Sequence, residues 1–203
     1  MRAFFCIFIS SMKRFLQYTG LLLPALLAAC LVSAQVFVPA EKDPRYSTEL
    51  NPVYNNRVNP TYNPQINPKF NAKLNPKYTP EISPKFNANL NPQFNFDLNP
   101  KMNTALNPEY NYQLVPRYGV DGGIYMFDKN ANLTGIIMPA SANVWLLFDD
   151  KNNWRGYFVR TGSNWNRYTI DGTWTGEYLC PNDNRGYNYF TEEGSWTGEY
   201  VIY

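Results

Sequence analysis

Few side chains in this sequence have the chemistry of a catalytic centre. The 203 residues include no histidine, and histidine is the commonest general base and the commonest metal ligand. Two acidic doublets, Asp149-Asp150 and Glu192-Glu193, could supply the two carboxylates of a hydrolase. Both doublets fall in predicted turns, where a solvated charged loop is the ordinary explanation. The sequence therefore predicts a protein that is not an enzyme and that holds no cofactor and no metal ion.

Aromatic side chains are better candidates for a binding site, because an exposed ring can stack on the face of a sugar. Trp154, Trp174 and Trp196 share one position in a repeated motif, and repeated aromatic residues usually belong to the core. The other two tryptophans lie outside that position and are predicted to be exposed, with charged turn residues bonding sugar hydroxyls. The predicted ligand-binding residues are Trp145, Trp165, Asp149, Asp150 and Arg155.

The first 34 residues have the pattern of a secretory signal. Lys13-Arg14 precedes an apolar run, Leu21 to Val32, that is too short to span a bilayer stably. Met12 is the expected start, and two processing points remain open. Leu27-Ala28-Ala29-Cys30 resembles a bacterial lipobox, which predicts lipidation of Cys30, whereas Val32-Ser33-Ala34 predicts cleavage after Ala34. The expected location is the cell surface or outer envelope, with membrane contact only through a lipid on Cys30.

Charge and cysteine content exclude two further classes of protein, those that bind nucleic acid through a basic surface and those built on disulfides. Without residues 1–34 the chain keeps 15 basic and 16 acidic residues, so a basic surface for nucleic acid is not expected. After cleavage at Ala34 the remaining cysteine is Cys180, which excludes an intramolecular disulfide framework. Cys180 follows Leu179 at the end of a predicted strand, and it is predicted to be buried as a small apolar residue.

Residues 43–118 consist of an octapeptide repeat, which residues 35–42 link to the signal. Proline recurs at every eighth position from Pro44 to Pro116, and the consensus is N-P-x-[Y/F]-N-x-x-[L/I/V]. Asn-Pro predicts a turn, while proline at this frequency excludes a helix. The N-x-x-L half is expected to be extended, which would place the aromatic residue at position 4 and the aliphatic residue at position 8 on one face. Two architectures remain open, a solenoid-like array of stacked octads and an extended stalk that packs on the carboxyl-terminal domain or on other chains.

Residues 119–203 contain four copies of a looser motif. Their glycines recur at intervals of 20 to 22 residues: Gly135, Gly156, Gly176 and Gly198. Each copy has an apolar run, a polar turn and a second apolar run, which is the signature of a β-hairpin, and Asp171-Gly172 is among the strongest such signals. Four hairpins predict about eight strands in a small antiparallel meander, open barrel or hairpin stack. The expected fold class is therefore mainly β.

These features together predict a secreted or lipid-anchored bacterial envelope protein without enzymatic activity. In this hypothesis the octads form a stalk that presents the β domain to a polysaccharide or to another envelope or extracellular protein. One alternative is a structural protein that self-associates through the octads. The second alternative is a carboxylate-dependent hydrolase built on the acidic turns.

Overall fold

The structure is a computed structural model that describes residues 36–116 and 123–203. Residues 36–203 form one compact unit, so the octads and the β-strands belong to the same body. The predicted signal, with Cys30 and both processing points, lies outside the described residues. None of the helices in the described ranges is long and apolar enough to cross a membrane.

Eight antiparallel strands close into a barrel. They are β1 (Ile124–Phe127), β2 (Leu133–Pro139), β3 (Val144–Phe148), β4 (Trp154–Thr161), β5 (Asn164–Tyr168), β6 (Trp174–Pro181), β7 (Gly186–Phe190) and β8 (Trp196–Ile202). Each strand pairs with the next along the chain, and β8 pairs back with β1, where Tyr200 lies opposite Phe127. The predicted antiparallel β structure is confirmed. The barrel is closed rather than open, because the pairing of β8 with β1 removes both edges of the sheet.

The barrel buries apolar side chains on both faces of its sheet. All eight strands contribute to one cluster, which therefore fills the barrel interior: Ile124, Met126, Ile137, Phe158, Trp165, Leu179, Tyr189 and Val201, with Trp145 and Leu147 packed against them. On the opposite face, residues of β2 to β5 such as Ile136 and Tyr157 form a second cluster together with Leu98, Leu106 and Leu114 of the octads. The octads thus cover the outer face of the barrel, which is why that face is also apolar.

Each octad folds into two successive turns. In the first turn the amide of position 4 donates to the carbonyl of position 1, as from Tyr54 to Asn51 at 3.0 Å. In the second turn the amide of position 8 donates to the carbonyl of position 5, as from Val58 to Asn55 at 3.2 Å. The 3-10 helices in the described residues are Ala40–Lys42, Pro64–Ile66, Ala72–Leu74, Pro80–Ile82, Ala88–Leu90, Phe96–Leu98 and Tyr112–Leu114. The prediction of an extended second half is therefore wrong.

Asparagine side chains explain why the second half also turns. At position 5, the side-chain oxygen of Asn63 accepts the amide of Gln65 at 3.1 Å, which closes the turn. The Nδ2 of the same side chain donates to the carbonyl of Arg57 in the preceding octad at 2.6 Å. At position 1, Asn59 likewise accepts the amide of Thr61 and donates to the carbonyl of Pro52. One side chain thus closes its own turn and connects two octads. Asparagine typically forms such hydrogen bonds to nearby backbone, and they compete with extended structure.

The two apolar positions of an octad lie on opposite faces. Position 8 faces the barrel: Val58 is 0% exposed, and Ile66 and Leu106 are also buried. Position 4 faces away, and Tyr54 is 71% exposed. The expectation of one shared face is wrong, because the turn in N-x-x-L replaces the two-residue period of a strand.

The octads from residue 43 to residue 114, called the belt below, contact the barrel strands in reverse chain order. Early in the belt, the carbonyl of Val58 accepts from Asn188 of β7 at 2.7 Å. Next, the carbonyl of Ile82 accepts from Asn166 of β5 at 2.8 Å. The last octads reach the cluster on β2 to β5 through Leu114. Outward-facing amides of the barrel therefore bind the backbone of the belt directly.

Two tight turns show how closely the belt passes the barrel. Gly172 joins β5 to β6 with φ of 83°, and Gly194 joins β7 to β8 with φ of 76°. A Cβ on Gly172 would lie 3.2 Å from Nδ2 of Asn99, and a Cβ on Gly194 would lie 3.1 Å from Nδ2 of Asn75. Both positions need glycine for the left-handed backbone and for this approach.

Candidate functional site

A row of exposed apolar side chains at position 4 of the octads is the main candidate for a binding surface. We call it the outer row, and it comprises Tyr46, Tyr54, Tyr62, Phe70, Tyr78, Phe86, Phe94, Met102 and Tyr110. Their exposed fractions lie between 61% and 76%. Exposure of a large apolar side chain at the same place in nine successive octads differs from the scattered single exposures of ordinary protein surfaces. A plain linker would gain nothing from the eight exposed rings and one exposed thioether of this row.

The architecture of the octad holds these side chains outward. Position 1 is buried against the barrel in most octads, as in Asn51 at 3% exposure and Ser83 at 0%. Position 8 is buried on the same side, as in Leu98. The first turn therefore projects position 4 into solvent. Because each ring stands on a hydrogen-bonded turn attached to a closed barrel, the row is preorganised.

Basic side chains stand beside several members of the row. Position 3 is basic in five octads: Arg45, Lys69, Lys77, Lys85 and Lys101. Lys85 pairs with Glu192 at 2.7 Å and Lys101 pairs with Asp171 at 2.9 Å, which attaches the belt to two turns of the barrel. Lys77 instead places its ammonium 5.9 Å from the ring centroid of Tyr78. Position 3 thus serves both the attachment of the belt and the surroundings of the rings.

A polar groove lies beside one member of the row. It has a volume of about 410 Å³ and is lined by Thr48, Glu49, Tyr54, Asn55, Asn56, Arg57 and Asn184. The first six residues come from two neighbouring octads, whereas Asn184 comes from the turn between β6 and β7. The amide Nδ2 of Asn184 donates to the carbonyl of Glu49 at 3.0 Å and holds the two walls together. Sequence reasoning missed this groove because its walls are more than 120 residues apart.

The two tryptophans predicted to bind ligand lie inside the barrel. Trp165 is 3% exposed, and its ring stacks on Trp145 with centroids 3.6 Å apart. Trp145 is half-buried and also meets the edge of Tyr187. The predicted exposure of Trp165 is wrong, because its place on β5 points inward to the cluster of the barrel interior. Trp154, Trp174 and Trp196 are half-buried and pack against core clusters.

The polar residues predicted to join those tryptophans lie at the other end of β3. Asp149 accepts hydrogen bonds from the side chain of Asn153 and from the amide of Lys151. Burial opposes its ionised form, but these hydrogen bonds and the charge of Arg155 hold the pKa of Asp149 below its usual value. Asp150 and Arg155 are near it in sequence, and Arg155 is exposed. The five predicted ligand-binding residues therefore do not form one site, since Asp149 closes a turn and the tryptophans stack in the interior.

A cluster of ionisable side chains that the sequence did not predict lies on strands β5 to β8, with Arg167 buried and Glu177 and Glu199 half-buried. It comprises Arg167, Glu177, Tyr189 and Glu199, and we call it the inner cluster. The phenol of Tyr189 donates to Oε2 of Glu177 at 2.5 Å. Arg167 donates to the backbone carbonyls of Arg155, Tyr157 and Tyr168. The repeated W-T-G-E-Y motif shows that Glu177 and Glu199 occupy equivalent positions. It does not show which face of the sheet their side chains occupy.

The environment of the inner cluster indicates a structural role. Burial raises the pKa of Glu199, and the negative charges of Glu177 and Asp128 add to that effect. Burial also lowers the pKa of Arg167, whose guanidinium lies 5.5 Å from the ring centroid of Phe158. Buried charges are tolerated when they are paired and hydrogen-bonded. Here three backbone carbonyls accept from Arg167, and the carboxylate of Glu177 accepts from Tyr189.

Cys180 is fully buried at the contact between barrel and belt. Its thiol donates to the carbonyl of Leu74 at 3.5 Å. Burial raises the pKa of Cys180 well above its usual value. A thiol of this kind is a poor nucleophile, because the thiolate is the reactive form.

The molecule's own geometry is the basis for assigning its function. No family model, no curated protein and no solved structure matches the chain. In residues 36–116 and 123–203 no group of three or more His, Cys, Asp or Glu side chains is placed to hold a metal ion. The described surface offers stacking faces, flanking cations and one polar groove, which are the means of recognising a ligand by contact.

Proposed function

We propose that this chain is a non-enzymatic binding protein of the bacterial cell envelope, in which the barrel carries the belt and the outer row contacts a polysaccharide. The observation that carries the proposal is the exposure of position 4, which is 61% or more in every octad while position 8 faces the barrel. Evenly repeated binding positions suit a polymer that repeats its own unit. Contact at several positions multiplies weak affinities, since each further contact is made at a high effective concentration.

The chemistry of the outer row favours sugars as that repeating unit. Tyrosine and phenylalanine present apolar faces that stack on the C–H face of a sugar ring, and tyrosine adds a hydroxyl that forms hydrogen bonds. The rings are held on a compact unit, so little conformational entropy is lost when they bind. The signal-like pattern of residues 1–34 supports export to the compartment where such polymers are found. Lipidation of Cys30 and free secretion are both compatible with this proposal.

Retention on insoluble polysaccharides tests the proposal. The full chain would be mixed with cellulose, chitin and peptidoglycan, and the bound fraction measured against protein concentration. A triple variant, Phe70→Ala with Phe86→Ala and Phe94→Ala, removes three rings of the row. At about 1 kcal/mol per stacked ring, it should weaken binding roughly 100-fold. Phe96→Ala is the matched control, because Phe96 is 59% exposed but stands at position 6, outside the row.

Self-association of the belt is the alternative function, and the same exposed row favours it. Rings that do not meet a polysaccharide could pack on the row of a second copy, because association buries apolar surface. Sedimentation velocity over a wide concentration range separates the two functions. A monomer that is retained on polysaccharide supports the first function. An oligomer that dissociates in the triple variant, without retention on any of the three polymers, supports the second and contradicts the first.

A further inference from the structure

We propose that the groove beside Tyr54 is a specific subsite that binds one uncharged hexose residue of the polysaccharide. This inference rests on the proposed function and adds to it a place where sugar identity is read. Elsewhere in the row the rings stand on convex turns, where stacking distinguishes little between sugars. The groove is concave, and a ligand within it meets side chains from two octads and from the barrel.

Hydrogen bonds hold the walls of the groove in place. The carbonyl of Glu49 accepts from Nδ2 of Asn55 at 2.7 Å and from Nδ2 of Asn184 at 3.0 Å. The side-chain oxygen of Asn55 also accepts the amide of Arg57 at 3.1 Å. These bonds use the amides of Asn55 and Asn184 to hold the walls in place. Its volume of about 410 Å³ falls within the range of small-molecule sites, about 300–1,000 Å³.

Several polar groups of the groove remain available to a ligand. In the part of the chain that the structure describes, the side chains of Thr48, Tyr54 and Asn56 make no hydrogen bond. The carboxylate of Glu49 has no ion-pair partner among those residues. Arg57 is 78% exposed, and its only ion pair in the described ranges is a 3.6 Å contact with Asp183.

These groups match the hydrogen bonding of a neutral sugar. Each sugar hydroxyl both donates and accepts, and the groove offers a carboxylate as acceptor, a guanidinium as donor, and an amide and hydroxyls that do both. Tyr54, which is 71% exposed, supplies a stacking face. The charges of Glu49 and Arg57 offset each other, so a sugar carboxylate would gain a partner in Arg57 and meet repulsion from Glu49. The groove therefore favours an uncharged hexose over a uronic acid.

Tyr62 provides a matched comparison within the same molecule. It stands at position 4 of the next octad and is 66% exposed, but it is not part of the lining of the groove. Tyr54→Ala and Tyr62→Ala therefore remove the same side chain from the same place in an octad. A difference in sugar affinity between the two variants therefore measures the contribution of the groove, because both variants lose one ring of the row.

Calorimetric titration of the full chain tests the inference with four hexasaccharides. Three are neutral, built from β-1,4-glucose, β-1,3-glucose and β-1,4-mannose, and the fourth is hexagalacturonate. We expect at least one neutral probe to bind more tightly than hexagalacturonate. Arg57→Ala should weaken that binding by about tenfold or more. Tyr62→Ala removes one ring of the row, worth about 1 kcal/mol, and should weaken it roughly fivefold, whereas Tyr54→Ala also removes a wall of the groove and should weaken it by roughly 20-fold or more.

The outcomes separate this inference from the proposed function. If insoluble polysaccharide retains the protein and Tyr54→Ala and Tyr62→Ala weaken hexasaccharide binding equally, the groove is not a subsite and the proposed function stands. The inference is also overturned if hexagalacturonate binds best, or if no neutral probe binds. If polysaccharide retains nothing, the proposed function fails together with the inference. Circular dichroism of each variant confirms that an affinity change does not come from unfolding.

Discussion

Substituting Asn188 with alanine tests whether the barrel and the belt are one folding unit. Asn188 lies on the outward face of β7 and is 0% exposed. Its Nδ2 donates to the carbonyl of Val58 at 2.7 Å, across 130 residues of sequence. Alanine removes the donor and leaves that carbonyl buried without its partner.

The expected loss follows from the cost of an unpaired buried group. Such a group costs about 1–3 kcal/mol, and the side-chain oxygen of Asn188, which itself has no hydrogen-bond partner in the structure, offsets part of this when it is removed. We therefore expect the free energy of unfolding to fall by about 1–2 kcal/mol. With a urea dependence of about 2 kcal/mol per molar, the unfolding midpoint should drop by roughly 0.5–1 M.

Tryptophan fluorescence during urea unfolding is a suitable assay, because all five tryptophans lie on strands of the barrel. Asn89→Ala is the control: Asn89 is exposed on the belt, and its midpoint should stay within about 0.2 M of the wild type. Hydrogen exchange of the amides of residues 51–58 then reports the belt. An unchanged fluorescence midpoint in Asn188→Ala, with faster exchange in the belt, would refute the reasoning, because the belt would then open without the barrel.

Two further predictions concern buried titratable groups. Arg45 donates hydrogen bonds to Asp43, the shortest at 2.5 Å, and these hold the pKa of Asp43 below its usual value in spite of burial. The ion pair therefore stabilises the folded state above the unfolded pKa of about 3.9. That stabilisation is lost as pH falls through the lower folded pKa. Asp43→Asn introduces the consensus asparagine, and because Arg45 is 63% exposed it should lower stability by no more than about 1 kcal/mol at pH 7. The difference from the wild type, followed in urea titrations, should shrink as pH falls below about 3.9. A difference that widens in acid contradicts the assignment. Cys180 should react with iodoacetamide at least roughly tenfold more slowly in native protein than in urea, as measured by mass spectrometry of its peptide; equal rates would show that the belt does not cover it.

Local patterns in the sequence were sufficient to predict the strands. Polar turns such as Asp171-Gly172 determine their own backbone conformation, and the apolar runs beside them supply the two buried faces. The predicted hairpins correspond to pairs of strands in the barrel. The position of Trp165 could not be predicted in the same way, because a shift by one residue reverses the face of a strand. Register depends on the neighbouring strands, and here it places Trp165 on Trp145 in the interior.

The candidate site shows a similar division. The aromatic residue at position 4 is visible in the sequence as a period of eight, but its exposure is not. The groove was invisible, because Asn184 and Glu49 are 135 residues apart. The inner cluster was partly visible, since Glu177 and Glu199 occupy equivalent places in two copies of W-T-G-E-Y.

The sequence by itself determined the octapeptide period, the turn at each Asn-Pro and the strand-forming runs of the carboxyl-terminal part. These depend on interactions between residues close together in the chain, where side-chain and backbone preferences act directly. Only the tertiary structure decided which apolar position of each octad faces inward and that the outer row is exposed. An octad has apolar residues on both faces, so its own preferences do not select one. The barrel makes the choice, because Asn166 and Asn188 donate to the backbone carbonyls of the position-8 residues Ile82 and Val58 and so bury that face.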